Sequence, residues 1–152
     1  MATVLTAALG AFLASAAFSI LYNLQSKPLI LVAGLNGAFG TAVYQVVMNA
    51  GGAEPAASFF GAVAFTLFAW VAARIARRPI VTFTAPALIP LVPGGDVYRM
   101  MLAFLDGHIQ EGWSWGLEAL AVTGMLVLGM MVVSSVPYAA HHLAKLRKGG
   151  RG

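Results

Sequence analysis

Long apolar stretches alternate with short polar segments along the whole of this chain. About 20 predominantly apolar residues in a helix cross the roughly 30 Å hydrocarbon core of a bilayer. On this basis five membrane-spanning segments are predicted, at residues 4–24, 28–50, 55–77, 79–105 and 113–138. A basic tail, residues 139–152, follows the last of them. The pattern predicts an all-α integral membrane protein, with residues 1–152 forming a single membrane domain.

The fourth segment differs from the others because Pro-Gly-Gly interrupts it near its centre. Proline removes a helical amide donor and constrains the residue before it, and glycine adopts backbone angles closed to other residues. We therefore expect two half-segments that meet at Pro93, Gly94 and Gly95. Asp96 follows directly, about 15 Å deep by helical rise and close to the bilayer midplane. Irregular backbone persists at that depth only where it is buried in protein or lines a wet cavity, so this break is the candidate functional site.

The second segment carries three closely spaced glycines and two amide side chains. Gly34, Gly37 and Gly40 recur three residues apart. Small residues let helix backbones approach and buried amides bond between helices, which favours a tightly packed interior helix. The alternative is that Asn36 or Gln45 faces a substrate path. If this segment were not a full crossing, the chain would have four spans.

Basic residues mark one side of the membrane. All of them except Arg99 lie in clusters beside apolar segments: Lys27; Arg74, Arg77 and Arg78; Lys145, Arg147, Lys148 and Arg151. The positive-inside rule then predicts an amino terminus outside and a carboxyl terminus in the cytoplasm. Glu54, Asp106 and Glu111 fall outside in this topology. A re-entrant hairpin in place of the fourth crossing would put the basic tail on the wrong side.

The composition excludes several classes of protein. With 60% hydrophobic and 9% charged residues, the chain is typical of a polytopic membrane protein and not of a soluble domain. The net charge of +4 resides in the loop clusters, so a nucleic-acid partner is not expected. No cysteine is present, which excludes thiolate metal sites and thiol catalysis. His141 and His142 are adjacent and point to different helix faces, so we expect no metal and no cofactor.

The polar residues after the break admit more than one role. Asp96 either caps the second half-helix by accepting backbone amide hydrogens, or carries a proton during transport. Arg99 either forms an ion pair with Asp96 or with Glu118, or presents its fork of donors to a substrate carboxylate. The amides of Gly94, Gly95 and Asp96 would themselves suit an anion at a half-helix amino terminus.

An odd number of spans has a consequence for assembly. A related unit placed in tandem would lie upside down, giving an inverted-repeat transporter with its site at the shared interface. The chain alone therefore resembles half of a transporter. We expect a second half from a partner, with a homo-oligomer as the other arrangement.

Several residues of this chain resemble the signature of the threonine/serine exporter family. They are Arg78-Pro79, the run P-A-L-I-P-L-V-P-G-G from Pro86 to Gly95, and Tyr98, with a looser match at Tyr22-Asn23, Pro28 and the glycine-rich second segment. The resemblance is to the short subunits equivalent to the carboxyl-terminal membrane half of the family, which include the smaller subunit of a bacterial two-component succinate exporter.

This resemblance implies a bacterial inner-membrane exporter of small amino acids, threonine or serine, or of dicarboxylates such as succinate. It also implies a larger membrane subunit that supplies the complementary half. The candidate substrate path then comprises Pro93, Gly94, Gly95, Asp96, Tyr98, Arg99, Asn36, Gln45 and Glu118.

Two other classes of function compete with transport. A structural or assembly membrane protein would explain packed helices, but not a prolyl-glycyl break at mid-bilayer beside two charges. An integral-membrane enzyme could use Ser134 or Ser135 with His141. However, no supporting carboxylate, phosphate loop or metal-ligand spacing accompanies them.

Overall fold

The computed structural model describes residues 2–149, and the side chains of residues 3–135. Over that range the chain is all-helical, with no strand. Its elements are α1 (Ala2–Leu21), α2 (Lys27–Asn49), α3 (Glu54–Ala76), α4 (Val81–Leu88), a 3-10 turn (Ile89–Leu91), α5 (Gly94–Leu105) and α6 (Ile109–Gly149). The predicted fold class is confirmed. The predictions for His141, His142 and the basic tail concern side chains outside the described ones.

Four of the helices are long and apolar enough to cross a membrane alone, and one bent pair can supply a fifth crossing. The single spans are Thr3–Leu21, Lys27–Asn49, Glu54–Ala76 and Ile109–Ser135. In the pair, Val81–Leu91 and Gly94–Leu105 meet at an angle of 43°. The broken fourth segment is therefore confirmed. Which end faces the cytoplasm stays a prediction.

The break itself lies one residue earlier than expected. Val92 is extended, as the residue before a proline prefers, and Pro93 forms the N-cap of α5. Gly94 and Gly95 are already helical and do not have positive φ. Their conformational freedom is thus not what breaks the helix. A Cβ at either glycine would meet nothing within 4 Å, so both expose their backbone to open space.

Proline does not prevent helix formation everywhere in this segment. Pro86 lies inside α4, where it removes one intrahelical hydrogen bond and crowds the preceding turn. The side-chain amide of Asn36 on α2 donates to the Phe83 carbonyl at 2.9 Å, and both residues are buried. This bond ties the proline-containing helix to its neighbour at the level of Pro86.

The helices form an open row around α4. α1 packs on α2, α2 on α3, α3 on α6, and α6 on α5, while α4 contacts α1, α2 and α3 inside the row. Phe65 and Phe83 are completely buried at the contacts of α4 with this row. In the described part of the chain, α1 and α5 stand at the two ends of the row without extensive contact. The fold therefore has a packed interior and one open side.

Small residues set the helix spacing in the packed part. A Cβ at Gly37 would lie 2.7 Å from the Ser15 Cβ of α1, and one at Gly40 would lie 2.9 Å from the Phe65 Cβ of α3. Real Cβ atoms do not approach so closely, so only glycine permits these contacts. The prediction that α2 is a tightly packed interior helix is confirmed.

We predict that Gly40→Val destabilises the protein by about 1–3 kcal/mol, because overpacking forces α2 and α3 apart. Thermal unfolding in detergent micelles measures the effect. Gly124→Val is the matched control, since a Cβ at this exposed glycine of α6 meets nothing within 4 Å. Equal melting temperatures for the two variants would contradict the packing described here.

Candidate functional site

A cavity of about 620 Å³ lies beside the break, between the two ends of the helix row. Its walls come from α1, α2, the start of α3, the 3-10 turn and α5. The lining residues are Ala7, Gly10, Ala11, Ala14, Thr41, Tyr44, Gln45, Glu54, Pro90, Leu91, Val92, Pro93, Gly95, Asp96 and Arg99. A volume of this size is within the usual range for small-molecule sites. The break therefore borders a space that can hold a metabolite.

The wall from α1 owes its shape to small side chains. Ala7, Gly10, Ala11 and Ala14 recur at helical spacing and so share one face of α1. Their size leaves room where larger residues would fill the gap beside α5. This face is apolar, so the polar chemistry of the cavity comes from the opposite walls.

Asp96 is the most deeply buried charged residue of the cavity, with 4% of its surface exposed. The Arg99 guanidinium donates to its Oδ1 at 3.5 Å, and its Oδ2 has no hydrogen-bond partner among the described residues. The predicted cap hydrogen bond is absent, because Pro93 occupies the N-cap and Asp96 lies three residues further into the helix. An unpaired buried acceptor costs about 1–3 kcal/mol. A contribution to stability therefore does not explain why an acidic residue is present at position 96.

Besides its ion pair with Asp96, Arg99 contacts an aromatic ring. Its guanidinium carbon lies 4.7 Å from the centroid of the Trp115 ring on α6, in cation–π geometry. The side chain is 58% exposed, so its remaining donors are accessible from the cavity. The expected Asp96–Arg99 ion pair is present. Among the described residues Arg99 makes no ion pair with Glu118, which is exposed on α6.

The first turn of α5 adds backbone donors to the same wall. The amides of Gly95 and Asp96 have no backbone acceptor among the described residues, as expected for a helix amino terminus. Because the Gly95 Cβ position is open, a ligand can approach the backbone here. Amides and helix dipole together favour an anionic group at this position.

A second set of polar side chains lines the cavity, on α2 and at the start of α3. The Tyr44 hydroxyl donates to Glu54 Oε1 at 3.1 Å. Thr41, one turn before Tyr44 on α2, is buried, and its hydroxyl has no partner among the described residues. Sequence reasoning missed all three residues. The available signal was the placement of Tyr44 and Gln45 three and four residues after Thr41, which puts them on one face of the helix.

The residues predicted for the substrate path divide into two groups. Those that line the cavity are Gln45, Pro93, Gly95, Asp96 and Arg99, with Gly94 between two of them. Those that do not are Asn36, Tyr98 and Glu118. Asn36 serves the α2–α4 contact instead, Tyr98 is 63% exposed, and Glu118 is exposed on α6. No group of three or more potential metal ligands occurs in the described residues.

A smaller cavity of about 440 Å³ lies at the opposite end of the bundle, near Lys27 and the arginines. It is lined by Tyr22, Asn23, Leu24, Gln25, Ser26, Leu29, Arg78, Pro79 and Thr82. Two parts of the family-like pattern, Tyr22-Asn23 and Arg78-Pro79, thus meet in space although they are far apart in sequence. Asn23 adopts a left-handed conformation with φ of 61°.

Comparison with protein families gives one match that covers most of the chain. Residues 7–136 match the family described as "Threonine/Serine exporter, ThrE". Comparisons with the curated proteins and with the solved structures find no match. The matched range contains every residue of the 620 Å³ cavity and of the break.

We predict that Asp96→Asn raises stability by roughly 1 kcal/mol. A buried group without a partner costs about 1–3 kcal/mol when neutral and more when charged, so the amide is less costly to bury here than the carboxylate. The ion pair, which is exposed only on its Arg99 side, and the favourable helix-dipole contact offset part of this difference, by about 1 kcal/mol. Thermal unfolding measures the change, and Asp106→Asn, an exposed loop acid, is the control. A loss of stability in Asp96→Asn would mean that the carboxylate has a structural role.

Proposed function

This chain belongs to the threonine/serine exporter family, and we propose that it forms one half of a secondary exporter whose substrate passes through the cavity beside the broken segment. It is a multi-pass membrane component of exporter type, and the family is not an enzyme class. The proposed cargo is a small metabolite bearing a carboxylate: threonine or serine, with succinate as the dicarboxylate alternative. The proposed location is the bacterial inner membrane.

The observation that carries this proposal is the convergence of Asp96, Arg99 and unpaired backbone amides on one cavity at the break. A guanidinium binds a carboxylate through two parallel hydrogen bonds, which fixes the orientation of the ligand. Ionisable groups in a membrane interior are costly and characteristically mark substrate or ion pathways.

The open side of the helix row supports a partner. The cavity lies between α1 and α5, and polar groups open to lipid are unfavourable. We propose that a larger membrane subunit with the complementary inverted half closes this side. A second copy of this chain is the other arrangement. Arg74, Arg77 and Arg78 at the cytoplasmic end would contact anionic lipid headgroups.

The two competing functions have less support. A purely structural role leaves the buried, half-paired Asp96 without a reason. For an enzyme, Ser135 is unsuitable as a nucleophile, because it is exposed on α6 and its hydroxyl donates to the Met131 carbonyl at 2.7 Å. His141, the other member of that pair, lies outside the described side chains.

An export assay tests the proposal directly. Bacterial cells are loaded with threonine, serine or succinate and express this chain with or without a larger membrane subunit of the family. Export that requires both chains supports the proposed half-transporter. Export by this chain alone would support the homo-oligomer, and no export of any of the three compounds would refute the proposed cargo.

We predict that Arg99→Gln abolishes export while the protein still inserts into the membrane, because the carboxylate-binding fork is lost. Arg74→Gln is a matched control, since Arg74 also stacks on a tryptophan, Trp70, at 4.8 Å, but lies outside the cavity. Efflux rates are compared at equal amounts of membrane-inserted protein. Unchanged efflux in Arg99→Gln would remove Arg99 from the mechanism.

A further inference from the structure

The lining of the 620 Å³ cavity contains more acidic than basic residues. Arg99 is the one basic residue in the described lining, whereas Asp96 and Glu54 are both acidic. Asp96 and Arg99 belong to the wall at the break and are paired with each other. Glu54 belongs to a different wall, at the start of α3, and its described hydrogen-bond partner is the neutral Tyr44 hydroxyl. Its negative charge therefore has no counter-charge among the described residues.

We infer that Glu54, oriented by the Tyr44 hydroxyl, binds the ammonium group of the cargo, so that the cavity selects zwitterionic amino acids over dicarboxylates. This inference rests on the proposed export function. Glu54 lies at the start of α3, outside the broken segment.

The geometry of Glu54 suits this role. The Tyr44 hydroxyl donates to Oε1 at 3.1 Å, which restricts the rotation of the carboxylate and leaves Oε2 available for another donor. Glu54 is half-buried, so a charge-assisted bond formed here is partly shielded from water. Tyr44 therefore acts as a positioning residue, and Glu54 as the group that contacts the substrate.

The neighbouring residue Thr41 provides a second, independent sign that this wall binds a ligand. Its side chain lines the cavity, is 8% exposed, and has a hydroxyl without a partner among the described residues. Buried hydroxyls are normally hydrogen-bonded. Thr41 and Tyr44 lie one turn apart on α2 and line the same cavity as Glu54.

Electrostatics then separate the two candidate cargoes. A zwitterion places its carboxylate at Arg99 and its ammonium at Glu54, and each charge finds an opposite one. A dicarboxylate finds a partner for one end at Arg99 but brings its other end to a wall that already carries Glu54. Like charges at close range are repulsive, and more so in a cavity of low dielectric. The negative charge of Glu54 therefore attracts the ammonium group of serine and repels the second carboxylate of succinate.

Serine and glycerate provide a sharp test, because they differ only in an ammonium replaced by a hydroxyl at the same carbon. Efflux of each compound is measured from cells that express this chain with its larger subunit. The variants are Glu54→Gln, which removes the charge at nearly constant size, and Tyr44→Phe, which removes the orienting hydroxyl. Glu54→Asp tests rescue by charge. Asp106→Asn is the control, an acid outside the cavity lining.

The wild type is expected to prefer serine over glycerate. Glu54→Gln should lower the serine-to-glycerate ratio by about 10- to 100-fold, the effect of losing one charge-assisted hydrogen bond. Tyr44→Phe should lower it by less than about tenfold, as for a neutral hydrogen bond. Glu54→Asp should retain the preference for serine, and Asp106→Asn should not change it. A purely structural Glu54 would instead reduce both effluxes in proportion.

Other results would overturn the inference in separable ways. An unchanged ratio in Glu54→Gln, with export maintained, refutes the role of Glu54 and leaves the proposed exporter intact. If Glu54→Gln fails to accumulate in the membrane, an unchanged ratio in Tyr44→Phe refutes it equally. Absence of serine export by the wild-type pair of subunits refutes the proposed function, and this inference with it.

Discussion

Backbone polar groups cannot face hydrocarbon unpaired, and this constraint governs the whole structure. Val92 and Pro93 interrupt a membrane-spanning segment at about half its length, so the amides and carbonyls around them need other partners or water. The fold meets this need in two ways. It surrounds the first half-helix, α4, with three other helices, and it places a polar cavity against the start of the second half-helix, α5.

The two half-helices are consequently held very differently. α4 is fixed by the completely buried Phe83 and by the Asn36 bond to its backbone. α5 packs mainly on α6, where Arg99 stacks on Trp115. The ion pair and the unpaired amides belong to this less enclosed half. In the proposed exporter, cargo is recognised on α5, the half-helix with fewer neighbouring helices.

Much of this architecture follows from the sequence, because apolar length and proline position are local signals. The five segments, the break and the Asp96–Arg99 pair were predicted in this way. The cavity walls were not, since they depend on how helices rotate against one another. Asn36 and Gln45 are nine residues apart, or two and a half turns, so they lie on opposite faces of α2 and only one can reach the cavity. Likewise, the sequence places Glu54 in a polar turn, whereas in the fold its carboxylate accepts a hydrogen bond from the Tyr44 hydroxyl.

The central claim is that water or cargo reaches the broken backbone inside the membrane, and thiol accessibility tests it most directly. The chain contains no cysteine, so a single cysteine at residue 95 or 87 can be labelled without further change. In sealed membranes, Gly95→Cys should react with a charged, membrane-impermeant thiosulfonate, because this position opens onto the cavity. Ala87→Cys, completely buried in α4, should not react. Equal protection of both positions would contradict this account.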